Sequence, residues 1–185
     1  MKQLFIIVLT GLACFSYGQD KYNYINFNKL TEIAGTEYVI TTIENRGKIE
    51  TNSQYLLFIN TQNGNTKQVD FPKDAYIDKI QQIKIDTLGI NIIFVAARTV
   101  NLDNNNKGID WNDPQQIIIL STDGQEKTQL TDDNFFVRTW LISNHTGAIV
   151  ITGYYDTNNN GKYDKTDKNE IIIYDLKTLK LISRI

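Results

Sequence analysis

Apolar residues along the chain fall in short clusters rich in Ile, Val, Tyr and Phe, each bounded by Gly, Asn or Asp. Residues 38–42, 55–59, 90–97, 117–120, 148–154 and 171–174 are such clusters. They predict strands, because branched and aromatic side chains pack well on a pleated surface and Gly, Asn and Asp tolerate the backbone of tight turns. No window of helical length keeps an apolar stripe at i, i+3, i+4 and i+7, so the chain reads as nearly all β.

The strands recur in a pattern. Turns at residues 46–50 (RGKIE), 107–110 (KGID) and 160–164 (NGKYD) are each preceded by an apolar strand, at 36–42, 90–97 and 147–155. Each is followed at a similar distance by a second, beginning at Gln54, Gln115 and Asn169, and then by a shorter polar strand from Asn65, Glu126 and Leu179. One more strand stands ahead of each unit, at residues 30–34, 80–85 and 136–143. The expectation is a single all-β repeat domain over residues 19–185, made of three four-stranded antiparallel repeats at about 22–72, 73–131 and 132–185. A period of about 50 to 60 residues is in or just above the range of propeller blades.

A lone four-stranded unit cannot bury both of its faces, so the copies must pack on one another. Three blades are fewer than the usual minimum of about four for a closed ring. The chain therefore implies a partial or half β-propeller: an open three-sheet arc, or two chains closing a six-bladed ring. An exposed inner apolar face would favour the dimer, since contiguous apolar surface invites a partner.

The stretch GIDWNDPQQIIILSTDGQEKTQLT, residues 108–131, resembles the TolB-like, WD40-like class of propeller blades in exported bacterial proteins. The resemblance covers most of the second and third repeats; the first, with its short turn at residues 44–50, matches poorly. It implies a platform for protein contacts, with enzymes among a few relatives, and fold analogy alone does not choose between them.

The sharpest chemical signal is DTNNNGKYDKTD, residues 156–167, which fits the DxNxNGxxDxxD pattern of EF-hand-like calcium loops. Calcium takes six to eight oxygen ligands, and alternate residues of a tightly curled loop point toward one centre. Asp156, Asn158 and Asn160 would supply side-chain oxygens at loop positions 1, 3 and 5, and Gly161 would take the sharp bend. Lys162 would give its backbone carbonyl, Asp164 would enter at position 9 directly or through water, and Asp167 would close the shell at position 12. Flanking strands make the loop resemble the strand-joining calcium loops of integrin-type propeller repeats more than a helical sensor. The expected affinity is weak, on the order of 10⁻⁴ to 10⁻³ M, suited to a structural clip outside the cytoplasm. An Asn-rich hairpin tip that binds nothing is the alternative, because Asp, Asn and Gly are also ordinary turn residues.

The second repeat carries Asp103, Asn105, Lys107, Gly108, Asp110 and Asp113 at the equivalent place, one residue shorter after the Gly. An ammonium at Lys107 would lie where position 5 wants an oxygen, so this loop reads as a degenerate site. In the first repeat the turn has shrunk to Glu44, Asn45, Arg46 and Gly47, and Arg46 argues against metal.

The N-terminus changes the picture of where the protein works. Met1 and Lys2, an apolar run over residues 4–12, and small or polar Ser16, Tyr17 and Gly18 have the layout of a secretory signal peptide, residues 1–18, cleaved before Gln19. Export to the periplasm or the cell exterior follows. Lipid attachment at Cys14 is disfavoured, because Gly11 stands where such sites want a branched apolar residue. No run approaches the ~20 apolar residues of a membrane-spanning helix. Cys14 is the single cysteine, so a mature chain would have no disulfide, thiolate nucleophile or cysteine metal site. A formal net charge of −2 with interspersed signs offers no basic face for nucleic acid.

Other constellations carry less. His145, the single histidine, sits in a turn without zinc or triad partners in sequence. Trp111 and Trp140 could form a sugar-stacking surface, but the simpler reading puts Trp140 in the core and lets Trp111 brace its loop. The expected function is an exported, non-catalytic interaction or scaffold module of propeller-like blades stabilised by calcium, its partner a protein or a second copy of itself. The alternative is a propeller-type hydrolase, lactonase- or glycosidase-like, with a central metal or carboxylate site fed by several blades.

Overall fold

The computed structural model describes residues 25–46, 51–102, 108–158, 160–161 and 163–185, with backbone alone for 25–28, 43–46 and 51–54. The signal-peptide residues with Cys14, the turn from Gly47 onward, Asp103, Asn105, Lys107 and Lys162 lie outside them.

The chain is all-β. The first sheet comprises β1 (Ile25–Glu32), β2 (Tyr38–Arg46), β3 (Thr51–Asn60) and β4 (Thr66–Asp70). The second comprises β5 (Tyr76–Ile85), β6 (Ile90–Arg98), β7 (Gln115–Leu120) and β8 (Lys127–Gln129). The third comprises β9 (Phe135–Ile142), β10 (Ala148–Tyr155), β11 (Lys168–Asp175) and β12 (Lys180–Arg184). Each is a four-stranded antiparallel meander in chain order, a blade-like unit, and the middle connection is long in the second sheet (residues 99–114) and in the third (156–167). The one helical element described is a 3₁₀ turn at Asp86–Leu88, which leads through Gly89 (φ 64°) into β6.

Two apolar clusters hold the sheets together. Ile40, Leu56, Phe58 and Val69 of the first sheet meet Ile93, Val95, Ile118 and Leu120 of the second. Phe94, Ala96, Ile117 and Ile119 of the second meet Ile149, Ile151, Ile172 and Tyr174 of the third. Successive side chains of a strand point to opposite faces, so β6 and β7 send alternate residues into the two clusters. That is why residues 117–120 read as an unbroken apolar run: the middle sheet is buried on both faces.

Polar side chains bridge each contact. Gln82 of β5 accepts from Ala34 N and donates to Ala34 O, both at 2.9 Å, across the first junction. Lys127 Nζ donates to Asp70 O at 2.9 Å across the same junction and stands over the Phe71 ring, 4.4 Å from its centroid. At the second junction the Tyr174 hydroxyl donates to Leu130 O. The fully buried Gln116 accepts from Thr99 N and Oγ1 at 2.9 Å each, so its carbonyl is doubly satisfied.

Candidate metal centre

The register of the third sheet builds the loop. The last cross-strand pair of β10 and β11 is Tyr155 with Lys168, so Asp156 and Asp167 are the first residues beyond it and are brought opposite each other. Both are buried, 1% and 8% exposed. Between them the chain curls back through Gly161 at φ 70°, a left-handed conformation that a Cβ would disfavour.

Backbone amides close around the two buried carboxylates. Asp156 accepts from Asn160 N at 3.2 Å and Gly161 N at 2.7 Å. Asp167 accepts from Thr157 N at 3.2 Å and Asp164 N at 2.7 Å. Asp164 Oδ2 takes the side-chain amides of Asn158 and Asn160, each at 2.8 Å, while its Oδ1 takes Thr166 N at 2.7 Å and Thr166 Oγ1 at 2.6 Å. The Thr166 hydroxyl first, then its N–H and the Asn158 amide, hold the Asp164 carboxyl well below its ordinary value, at about 2. Burial raises the neighbouring Tyr154 phenol, and the charges of Asp167 and Asp156 push it the same way, so the loop is an anionic locus.

The structure thus brings Asp156, Asn158, Asn160, Asp164 and Asp167 into one hydrogen-bonded ring. Among the described residues no group of three or more Asp, Glu, His or Cys side chains has the geometry to hold a metal ion unaided. An oxygen cage here would need the amides as well. Asn158 and Asn160 already converge on Asp164 through Nδ2, and rotating each terminal amide by half a turn would present Oδ1 to the same point. Three carboxylates and two amides are the kind of oxygen donors that a hard cation takes.

The second sheet repeats this plan in part. Asp113, 3% exposed, accepts from Leu102 N at 2.7 Å and from Asp110 N at 2.8 Å, as Asp167 does from Thr157 and Asp164. Asn112 N donates to Asp110 Oδ1 at 2.8 Å, as Thr166 N does to Asp164. The closing aspartate is thus a backbone brace in both repeats, a role sequence reading missed because it considered the position only as a ligand.

A groove of about 410 Å³ separates the two loops, lined by Arg98, Trp111, Gln115, Tyr154 and Tyr163 among others. Trp111 is 68% exposed and rests against the Tyr76 ring (centroids 4.7 Å apart) and the Arg98 guanidinium (5.0 Å), which brace its loop. Arg138 sits over both Tyr154 (5.2 Å) and Tyr163 (4.4 Å). Trp140 is half-buried and packs on Phe94, with ring centroids 5.3 Å apart. His145 is exposed in the turn between β9 and β10.

No family model matches the chain, and no curated protein matches its sequence. Among solved structures it is similar to the β-propeller domain of the Trilobed protease from Pyrococcus furiosus, which has an open velcro topology. That match has a TM-score of 0.43 and 12% identity and covers 88% of this chain and 44% of that one. It is similar also to an acylaminoacyl peptidase from Pyrococcus horikoshii, with a TM-score of 0.43 and 9% identity, covering 88% of this chain and 25% of that one. A Synechocystis apocarotenoid oxygenase variant matches with a TM-score of 0.34 and 16% identity over 80% of this chain and 34% of that one. The chain thus spans less than half the length of each.

Proposed function

We propose that the protein is an exported, non-catalytic interaction module whose blades are stiffened by calcium at residues 156–167. The observation that carries this reading is apolar surface on the outer faces of the end sheets. Leu30 of the first is 67% exposed, and Leu141 and Ile171 of the third are 64% and 37% exposed. Apolar residues grouped on a sheet face mark a surface for a protein partner. The TolB-like character of residues 108–131 and the signal-like pattern of residues 1–18 are in keeping with a partner met outside the cytoplasm.

Calcium would be held by Asp156, Asn158, Asn160, Asp164 and Asp167, with the Lys162 carbonyl as a further ligand, in the manner of integrin-type loops. Its role would be to lock the β10–β11 hairpin rather than to switch it, since the ring of hydrogen bonds already sets the backbone. Isothermal titration of the full chain with calcium tests the metal: binding on the order of 10⁻⁴ to 10⁻³ M is expected, and no heat at millimolar calcium would remove it from the reading. Cross-linking of the exported protein in its native compartment tests the interaction. One or more specific adducts are expected, and a chain that cross-links to nothing would overturn the module.

A further inference from the structure

A sheet with one face in water should alternate apolar and polar residues, yet β3 (YLLFI over residues 55–59) and β11 (III over residues 171–173) run as continuously apolar as β7. In β7 the run is explained by burial on both sides. In β3 and β11 only one side is covered. On β3, Leu56 and Phe58 face the second sheet, which leaves Leu57 and Ile59 on the outer face, paired with Thr41 and Val39. On β11, Ile172 and Tyr174 face the second sheet, which leaves Ile171 and Ile173 outside, paired with Thr152 and Val150.

The repeat shows what these faces fit. The first hairpin of each sheet is closed between Ile33 and Tyr38, between Ile85 and Ile90, and between Ser143 and Ala148, and this sets the three sheets in one register. Counting along β2, β6 and β10 from there, the pairs Thr41–Leu57, Ile93–Leu120 and Ile151–Ile172 are equivalent. In the second and third sheets that pair packs onto the preceding sheet. The adjacent pairs Thr42–Leu56, Phe94–Ile119 and Thr152–Ile171 are likewise equivalent, and Leu56, Phe94 and Ile119 pack onto the following sheet. The first sheet's outer face is therefore a surface made to receive a preceding sheet, and the third sheet's outer face one made to receive a following sheet.

From this equivalence we infer that two copies of the chain associate head to tail, the third sheet of each packing its Thr152–Ile171 face on the Thr41–Leu57 face of the other, to close a ring of six sheets. The contact repeats the one already made twice within the chain; its central pairs Thr41–Leu57, Val39–Ile59, Thr152–Ile171 and Val150–Ile173 carry no charge, and Asp175, Glu32 and Asp70 stand further out on the same faces. A heterologous contact that closes after two copies gives a ring with two identical interfaces and no free apolar sheet face. The inference names the partner of the interaction module and is independent of its calcium.

The test uses two opposite charges. Ile171→Lys and Leu57→Glu are made separately in the full chain, with Leu141→Lys and Leu30→Glu as substitutions at the more exposed members of the same two faces. The mass of each is measured by sedimentation over a concentration series, and an unchanged cooperative melt certifies the fold. The wild type is expected to sediment as a dimer and each variant to dissociate about a hundredfold more readily. Mixing a Lys variant with a Glu variant is expected to restore dimers, because one interface then pairs Lys with Glu and the other is native. A monomeric wild type, an open-ended polymer, or a dimer indifferent to both substitutions would overturn the inference. A monomer that still cross-links to another protein would do so while leaving the module reading intact.

Discussion

Gly124, in the turn between β7 and β8, lies directly on the ring of Phe58 in the neighbouring sheet: a Cβ at Gly124 would stand 2.5 Å from Phe58 Cδ2. The glycine also has φ 71°, so the turn needs it for its backbone as well as for space. Phe58 is fully buried and has nowhere to retreat.

Gly124→Ala should therefore open the first junction. A left-handed alanine and an overpacked ring together should cost about 2–4 kcal/mol, read in a denaturant titration as a lower midpoint with unchanged slope. Combining it with Phe58→Leu should recover part of that loss, since the smaller side chain removes the clash. Additive losses would contradict the contact.

The same turn makes a prediction in acid. The Ser121 hydroxyl, at 2.5 Å from Asp123 Oδ1, and the Gln125 N–H at 3.0 Å lower the Asp123 carboxyl below its ordinary value of 3.8, the hydroxyl most. A carboxyl depressed in the folded state stabilises the fold above its unfolded pKa, and that contribution is lost as pH falls below 3.8 through the folded value. Ser121→Ala should raise the Asp123 midpoint followed by carboxyl-carbon NMR and make acid unfolding of this turn less steep. An unmoved midpoint would contradict the hydroxyl's role.

A third prediction concerns Glu170, whose side chain is 7% exposed and faces Lys168 on one oxygen and Arg184 Nη1 at 3.4 Å on the other. Arg184 also meets Asp132 at 3.2 Å and donates to the Tyr155 hydroxyl, tying strand β12 to β10 and to the loop before β9. Arg184→Met should cost about 1 kcal/mol, a modest figure because the guanidinium is partly solvated. The loss should shrink in a Glu170→Gln background; equal losses in the two backgrounds would show that the pair does not couple.

Much of this fold was legible in the sequence. The strands at residues 90–97, 117–120 and 148–154 fall inside β6, β7 and β10, because each run of branched residues is bounded by a turn whose chemistry is local. What could not be read was which sheet each residue meets. In the β7 run neighbouring isoleucines go to opposite clusters, and only the pairing of whole sheets decides that Ile117 meets the third sheet and Ile118 the first. Gly153 was equally opaque. A Cβ there would stand 2.3 Å from Phe136 O, a close approach set by the β9–β10 pairing that no local pattern announces.

The spacing at residues 156–167 marked a candidate loop, and Asp156, Asp164 and Asp167 there take part in one hydrogen-bonded ring. Their mutual bonding was not legible, because it depends on the Tyr155–Lys168 register that sets the two ends of the loop side by side. Asp113 in the second sheet shows that the closing aspartate braces the backbone even where Lys107 breaks the ligand pattern.

The most direct test of the proposal that calcium stiffens the module is a thermal melt of the full chain with about 10 mM calcium and with chelator, beside the same pair of melts for Asp156→Ala. A ligand confined to the folded state, at ten to a hundred times its dissociation constant, should add about 1.4–2.7 kcal/mol. For a chain of this size that is a rise of roughly 3–10 °C. Asp156→Ala should melt lower in both conditions, having lost the acceptor for Asn160 N and Gly161 N, and should show no calcium-dependent rise. A wild type that melts at the same temperature with calcium and without it would contradict the claim and leave residues 156–167 as a hydrogen-bonded hairpin tip.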